Sequence, residues 1–461
     1  MDGSVEGARA SVPVPVDGRL VELLAVLAAT AMASLPFGVA DLLAGMLAVP
    51  ALAFHAVVLF QSRPPPAARV FSLLVLIVAL GLLPGLHHAV AFQDEPTMSH
   101  GHDGGVAVTD LAVRALLEGR DPYTESYAEL VEGMPIFYGD RLIDNPIMER
   151  YPYWPATLLI QVPVQAPLLW AGAPVVDARF VYLGVLLALG VGMARFSLRV
   201  RGDLLLAVGV ALNPLVLYWT RWGSNDILAV GGLALMGWAL FRRRTVLAGL
   251  ALGLALACKL LVVPAVVLFA AWLARRARDG ELDRRTAVSA AAAAVLPAAV
   301  TAVPFLLWHP AAFLDDALLY HLGASAERFP IAGQGLPVLL HALGVIRDPL
   351  GSAPVWATTL PTLLLLAVGA GWLWRRGWTS PRAFLLAATF VTVGTFWFSR
   401  AFMGNYWPVP MTLLALAVLA PWPAEASRAS GGQAPPDRQS TAAQQRSPAR
   451  RATLARVAGP R

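Results

Sequence analysis

Long apolar segments recur along the whole chain, and they constrain its fold more than any other feature. A helix needs about 20 predominantly apolar residues to cross the hydrocarbon core of a bilayer. Within lipid, only helices and closed barrels satisfy every backbone polar group, and these segments are continuous rather than alternating. The sequence therefore predicts an all-α, polytopic transmembrane helical bundle. The candidate spans are residues 20–38, 40–61, 70–92, 178–196, 203–219, 225–241, 286–308, 353–374, 381–398 and 405–421.

The composition agrees with a membrane protein. The 461 residues are 57% hydrophobic and only 14% charged, whereas soluble domains carry roughly 25% charged residues. The net charge of +6 comes almost entirely from arginine, since Lys259 is the only lysine. These arginines cluster in short loops between apolar segments, which indicates topology rather than a nucleic-acid partner. Cys258 is the only cysteine, which excludes an intrachain disulfide.

The arginine distribution also predicts three parts of the chain. Residues 1–19 are expected to be a cytoplasmic segment, and residues 20–422 the transmembrane domain. Residues 423–461 are polar and arginine-rich, which is typical of a disordered cytoplasmic tail. The loop 93–153 holds twelve Asp and Glu against four Arg, so it is expected on the extracytoplasmic side.

Three apolar segments do not fit a single span. Residues 245–274 are too long for one helix and are expected to form two short helices that meet near Lys259. Residues 154–172 contain three prolines and two glutamines, and we favour a partly crossing or re-entrant segment over a full span. Residues 332–346 are expected not to cross. The total is about 12 spans, or about 13 if 154–172 crosses.

The acidic loop contains a short amphipathic pattern at residues 109–118. Asp110, Arg114 and Glu118 lie four residues apart and can pair along one helix face. Gly119 ends the predicted helix. We expect this helix to roof a cavity, with its charged residues forming either a solvated face or part of a catalytic site.

Polar residues gather at the outer ends of several predicted spans. Ionisable groups at membrane depth are costly and usually line a cavity or pathway, so these groups are expected to converge on one site. The groups comprise His100, His102 and Asp103; Asn225 and Asp226; His321 and Arg328; and Arg400 and Asn405.

Several of these residues have a second interpretation. His100 and His102 are either solvated loop residues or part of a site; a divalent metal is not favoured, because no further ligand follows at helical spacing. Asp226 either caps its helix or belongs to the site. Lys259 is either a structural counter-ion for Asp226 or a phosphate contact. Arg400 could instead anchor to lipid headgroups.

Short motifs between residues 90 and 410 resemble a known group of enzymes. The early Asp of the acidic loop is followed by ALLEGRDPY, by YPYWP at 151–155, and by GLALGLALACK, which ends at Lys259. The segment 213–226 begins with NP and ends with GSND. Together these motifs resemble the GT-C superfamily of polyprenyl-phosphate-sugar-dependent glycosyltransferases, and more closely the family 87 alpha-mannosyltransferase-like membrane proteins.

The resemblance implies roles for the polar residues. An Asp of the first outer loop would act as the catalytic base, and Asp103 is the first candidate. Many relatives place this Asp nearer the amphipathic helix, where the chain has Gly104 and Gly105, so Asp110 is a competitor. His321 would be a second polar group near the acceptor. The candidates for substrate binding are His102, Tyr123, Asn225, Asp226, Lys259, Arg328, Arg400 and Asn405.

The resulting hypothesis is an inverting membrane glycosyltransferase that needs no cofactor. It would move mannose or arabinofuranose from a polyprenyl-phosphate donor to a lipid or glycan acceptor, on the extracytoplasmic face of the plasma membrane. The alternative is a polytopic transporter or lipid flippase. No phosphate-binding G-x-x-x-x-G-K-[ST] loop occurs, which argues against an ATP-driven pump.

Overall fold

The chain is almost entirely helical in the residues that the computed structural model describes. These are residues 18–34, 39–61, 64–97, 99–128, 136–138, 141–143, 145, 147, 149–375 and 379–422. Their four strands are only two or three residues long, so the predicted all-α class is confirmed. The predicted tail 423–461 lies outside the described residues, as does all but the end of the predicted segment 1–19.

The helices fall into three groups along the chain. The first group comprises α1 (Gly18–Ala33), α2 (Val39–Leu59), α3 (Pro66–Ile77), α4 (Leu83–Asp94), α5 (Thr109–Leu117), α6 (Pro155–Leu159) and α7 (Val162–Trp170). The second comprises α8 (Arg179–Arg201), α9 (Leu205–Val210), α10 (Pro214–Arg221), α11 (Asp226–Phe241), α12 (Thr245–Cys258), α13 (Val263–Arg278) and α14 (Arg284–Ala293). The third comprises α15 (Leu296–Trp308), α16 (Pro310–Leu314), α17 (Tyr320–Leu322), α18 (Leu336–Ala342), α19 (Thr359–Leu373), α20 (Pro381–Phe398) and α21 (Pro408–Leu419).

The strands form two small pairs. Strand β1 (Ile136–Tyr138) pairs antiparallel with β2 (Arg141–Ile143) inside the acidic loop. Strand β3 (Ala332–Gly333) pairs in parallel with β4 (Ala401–Phe402), which ties the loop after α17 to the segment before α21.

Few of the helices are long enough to span a membrane alone. In the described part of the chain, five helices are long and apolar enough to cross a membrane, or six if α14 and α15, bent by 42°, form one span. Helices α11, α12 and α19 are apolar but shorter. The count of 12 or 13 spans stays a prediction, because several of the predicted spans are divided into shorter helices. Residues 203–219, for example, divide into α9 and α10 where Asn213 caps a helix that begins at Pro214. The protein is nonetheless a multi-pass membrane protein.

The break near Lys259 is confirmed. Helix α12 ends at Cys258, and Lys259 has an extended backbone (φ −146°, ψ 124°). A short 3-10 turn leads into α13, whose second residue is Pro264. Helix α12 packs closely on α14, since a Cβ on Gly249 would lie 2.2 Å from the carbonyl oxygen of Ala290. Glycine at this position allows the backbones to approach, as small residues do between membrane helices.

The helices in the two uncertain segments are short. Residues 154–172 form α6 and α7, and the nine residues of α7 extend roughly 14 Å, about half of the hydrocarbon core. Neither helix alone crosses a membrane, as the partly crossing interpretation requires. Residues 332–346 contain strand β3 and α18, a helix of seven residues.

One end of the bundle collects the polar residues. Helices α11 and α12 pack side by side and are joined by the turn 242–244, so the start of α11 and the end of α12 lie together. Helix α21 packs against α11 and places residue 405 at the same end. The turn at residues 102–105 joins them there, because His102 N–H donates to the carbonyl of Trp222. We call this the polar end.

Candidate active site at the polar end

The segment that carries Asp103 is a single π-helical turn, Asp103–Val108, packed against the start of α11. A Cβ on Gly105 would lie 2.1 Å from the carbonyl oxygen of Gly223, and one on Gly104 would lie 2.4 Å from the Tyr153 hydroxyl. Only glycine at both positions allows this approach. The H-D-G-G sequence therefore fixes the Asp103 backbone directly against neighbouring elements.

Three groups surround the Asp103 carboxylate. Gly104 N–H donates to its Oδ1 over 2.6 Å, and the Asn145 amide donates to Oδ2 over 2.9 Å. Nδ1 of His102 lies 3.1 Å from Oδ1. Burial raises the pKa of Asp103, but His102, Asn145 and Gly104 oppose it and lower the pKa to about 2. The carboxylate is therefore ionised at neutral pH.

His102 can make two competing contacts. Its Nδ1 lies 3.0 Å from the Gly105 N–H as well as 3.1 Å from Asp103. The first contact needs an unprotonated Nδ1 and the second a protonated one. His102 thus donates to the Asp103 carboxylate only when Nδ1 carries the hydrogen.

Lys259 forms a buried ion pair with Asp226. Its Nζ lies 3.2 Å from Asp226 Oδ1, and both side chains are almost completely buried. Asp226 Oδ2 accepts hydrogen bonds from the Ser224 hydroxyl and from the Asn405 amide, the latter over 3.0 Å. The Asp226 side chain therefore links the start of α11, the end of α12 and the segment before α21, rather than capping α11. The predicted residues Asp226, Lys259 and Asn405 come together.

Tyr153 connects this ion pair to the Asp103 turn. Lys259 Nζ lies 4.9 Å from the centre of the Tyr153 ring, and the Tyr153 hydroxyl would lie 2.4 Å from a Cβ on Gly104. Burial raises the pKa of Tyr153 well above its ordinary value, and the nearby charges of Asp103 and Asp226 add to the increase. Two carboxylates, one ammonium and one phenol thus share a single site. The sequence singled out YPYWP only as a motif and did not identify Tyr153.

Residues 151–403 match the sequence profile of glycosyltransferase family 87, and this range is more than half of the chain. The chain belongs to glycosyltransferase family 87. The predicted resemblance is thus confirmed, and the protein is an enzyme that transfers sugar. The matched range includes Tyr153, Asp226 and Lys259, whereas Asp103 precedes it. No curated protein and no solved structure matches the chain.

The amphipathic helix of this family 87 enzyme is confirmed as α5, but Asp110 is not on a solvated face. The Asp110 carboxylate is buried and accepts a hydrogen bond of 2.6 Å from the Gln165 amide. Burial, followed by the charge of Asp177, raises the pKa of Asp110 well above its ordinary value. Glu118 pairs with Arg120 instead of Arg114. The interpretation of Asp110 as solvated is wrong, because Gln165 in α7 covers it.

Two of the predicted arginines make backbone contacts at the polar end. Arg400 is buried and donates to the carbonyls of Phe329, Pro349 and Gly351, rather than reaching outward to lipid headgroups. Arg328 donates from Nε to the carbonyl of Gly323. Both side chains therefore order the loop after α17.

The remaining predicted residues lie around the site. His321 donates from Nε2 to the carbonyl of Pro152 over 2.7 Å, and burial lowers the pKa of its ring. Tyr123 is buried and donates to the carbonyl of Tyr153. Asn225 is buried beside Asp226, and its amide has no hydrogen-bond partner among the described residues. His321 and Tyr123 thus position the backbone on both sides of Tyr153.

A cluster around Arg150 was missed by the sequence reasoning. The Arg150 guanidinium donates to Asp315 over 2.6 Å and to Glu327 over 3.2 Å, and lies 3.4 Å from Asp316. The guanidinium also lies over the Tyr320 ring, 4.9 Å from its centre. The cluster joins the end of the acidic loop to the segment after α15. No residue spacing could have indicated it, because its partners are more than 160 residues away.

Asp316 makes the stability of this cluster depend on pH. Burial raises the pKa of Asp316 to about 7 from an ordinary value of 3.8, although Tyr151 N–H and Arg150 oppose the increase. Between these values the folded protein holds a proton that the unfolded chain releases, so stability falls as pH rises from about 4 to about 7. We expect Asp316→Asn to make the melting temperature, measured in detergent, depend less on pH between pH 5 and 8. A plot of melting temperature against pH with the same slope as the wild type would contradict this prediction. Glu118→Gln, which changes an exposed carboxylate, is the control and should keep the wild-type slope.

The described residues hold no group of three or more His, Cys, Asp or Glu side chains arranged to bind one metal ion. That the enzyme works without a cofactor stays a prediction.

Proposed function

We propose that this enzyme transfers a sugar from a polyprenyl-phosphate donor to a hydroxyl of a lipid or glycan acceptor, with Asp103 as general base. The acceptor oxygen attacks the anomeric carbon, and the bond from that carbon to the phosphate oxygen breaks. The acceptor proton passes to the Asp103 carboxylate, and polyprenyl phosphate leaves with the bonding electron pair. The anomeric configuration inverts.

The observation that carries this proposal is the ionised Asp103 carboxylate close to Tyr153, whose ring contacts the buried Lys259 ammonium. A general base must be unprotonated and within reach of the acceptor hydroxyl. Asp103 meets the first condition, whereas burial raises the pKa of Asp110, and Gln165 covers its carboxylate. Asp103 is also partly exposed, at 16% of its side chain.

Lys259 is the best supported of the three candidates for the donor phosphate. Arg400 and Arg328 donate to backbone carbonyls, whereas Lys259 contacts Tyr153 beside Asp103. An ammonium can stabilise the negative charge that develops on the leaving phosphate oxygen. The Asn225 amide, which has no hydrogen-bond partner among the described residues, can donate a hydrogen bond to a sugar hydroxyl of the donor or accept one from it.

The arginine clusters support an extracytoplasmic site in the plasma membrane. Helices α11 and α12 have the polar end at one extremity and Arg242–Arg244 at the other. Helix α13 begins just after Lys259 and ends with Arg275, Arg276 and Arg278. Arginine-rich ends face the cytoplasm, which leaves the polar end on the opposite side.

The family membership does not favour the transporter or flippase alternative. A transporter would also place its ionisable groups near the bilayer midplane, whereas the ion pair of Lys259 and Asp226 lies at the ends of two helices.

The proposal is tested with membranes that contain the full chain and a radiolabelled donor lipid. We expect transfer from polyprenyl-phosphate mannose, and from polyprenyl-phosphate arabinofuranose as the second choice. Transfer only from a nucleotide sugar would refute the donor class.

Asn145 offers a test of the Asp103 environment that does not remove the base. Its amide lowers the pKa of Asp103, so Asn145→Ala should raise that pKa. Because the base acts when unprotonated, the acidic limb of the pH profile of kcat/KM should move to higher pH. An unchanged profile would show that Asn145 does not tune the base.

A further inference from the structure

A groove lies between α13 and α14, far from the polar end. Its volume is 370 Å³, which falls within the range of about 300–1,000 Å³ for small-molecule sites. Its walls are Leu273, Val288 and five alanines, and its lining ends with Arg278 and Arg284. Since Arg278 ends α13 and Arg284 begins α14, both arginines stand at the same end of the groove.

The charges around this end are unbalanced. Each of the three nearby carboxylates is engaged: Asp279 pairs with Arg275 at 2.7 Å, Glu281 with Arg276 at 3.3 Å, and Asp283 caps α14. In the described part of the chain, no ion pair joins Arg278 or Arg284 to a carboxylate. The Arg278 guanidinium rests 5.2 Å from the centre of the Trp374 ring, which leaves its donors available.

The groove faces the surface where an apolar span ends. The candidate span Leu260–Arg278 ends at Arg278, and Ala270, Ala274 and Val288 are exposed along the groove. An apolar channel that leads to two unpaired guanidiniums matches a molecule with an acyl chain and a phosphate. Arginine binds phosphate through paired N–H donors, and basic pockets between membrane helices bind anionic headgroups.

We propose that this groove is a binding site for an anionic phospholipid. The acyl chain lies along the alanines of α13 and α14, and the headgroup phosphate lies between Arg278 and Arg284. The site is separate from the polar end, which adjoins the opposite end of α13. It does not depend on the proposed donor or acceptor.

The test uses the full-length protein, purified in detergent and depleted of lipid, with phosphatidylglycerol or phosphatidylcholine added. Native mass spectrometry measures how much of each lipid remains bound. We expect the wild type to retain phosphatidylglycerol preferentially. The double variant Arg278→Gln with Arg284→Gln should bind phosphatidylglycerol roughly thirtyfold more weakly, which corresponds to about 1 kcal/mol for each arginine.

The matched control is Arg195→Gln with Arg199→Gln, which removes two exposed arginines from the end of α8. It should keep the preference for phosphatidylglycerol. An equal loss of phosphatidylglycerol binding in both double variants would mean that the lipid is attracted to positive charge anywhere on the protein, and it would overturn the proposal. Ala274→Leu fills the groove but keeps both arginines, and it should weaken binding of both lipids. Unchanged binding in that variant would also overturn the proposal.

Discussion

Asp103→Asn should lower kcat for sugar transfer by at least about a hundredfold, because a positioned general base contributes roughly 10²–10⁴-fold. Asparagine has nearly the same shape, and its oxygen can still accept from Gly104 N–H. Its NH2 group cannot accept from the Asn145 amide, and the side chain cannot take up a proton. The donor KM should change little, since the substitution removes a group that acts in the transition state. The measurement is the initial rate with labelled donor lipid in membranes with matched protein content.

Asp110→Asn is the matched control for this prediction. Asp110 is buried, has a raised pKa and accepts a hydrogen bond from Gln165, so an amide of nearly the same shape can take its place and keep that bond. We expect a rate near that of the wild type. Transfer that persists in Asp103→Asn would exclude Asp103 as the base. Transfer that also persists in the double variant Asp103→Asn with Asp110→Asn would exclude both candidate bases of the acidic loop.

The fold could be predicted where local sequence decides the structure. Continuous apolar segments become helices in any arrangement, because their backbone must be satisfied internally. The break at Lys259 was predictable from the length of 245–274 and its central charge. The number of helices long enough to span the membrane alone was not predictable. An internal break such as Asn213–Pro214 shortens helices without lowering the apolar content of the segment.

The site was predictable only in part, for a similar reason. Asp226 and Lys259 were identified because charges are rare in apolar surroundings and therefore conspicuous, whereas Asp103 was identified through the family resemblance. Tyr153 and Arg150 were missed, since aromatic and charged residues are common in loops and their roles depend on distant partners. Asp110 has an amphipathic position in α5, but its burial depends on Gln165, 55 residues later in the chain.

The buried pair of Lys259 and Asp226 gives a second large expected effect. Lys259→Met should lower the free energy of unfolding by about 3–5 kcal/mol, because it leaves the Asp226 carboxylate buried without a counter-charge. The double variant Lys259→Met with Asp226→Asn should recover most of this loss. An amide at position 226 is neutral and can keep hydrogen bonds to Ser224 and Asn405. Thermal unfolding in detergent measures both effects.

Activity in the same variants separates the two interpretations of Lys259. If Lys259 binds the donor phosphate, the double variant will regain most of the wild-type stability but will transfer sugar slowly, with a raised KM for the donor lipid. If Lys259 only balances Asp226, restoring stability will also restore the rate. We expect the first result, because Lys259 also contacts Tyr153 beside Asp103, and a purely structural counter-ion would have no need of that position. Full activity in the double variant would assign the phosphate to another group.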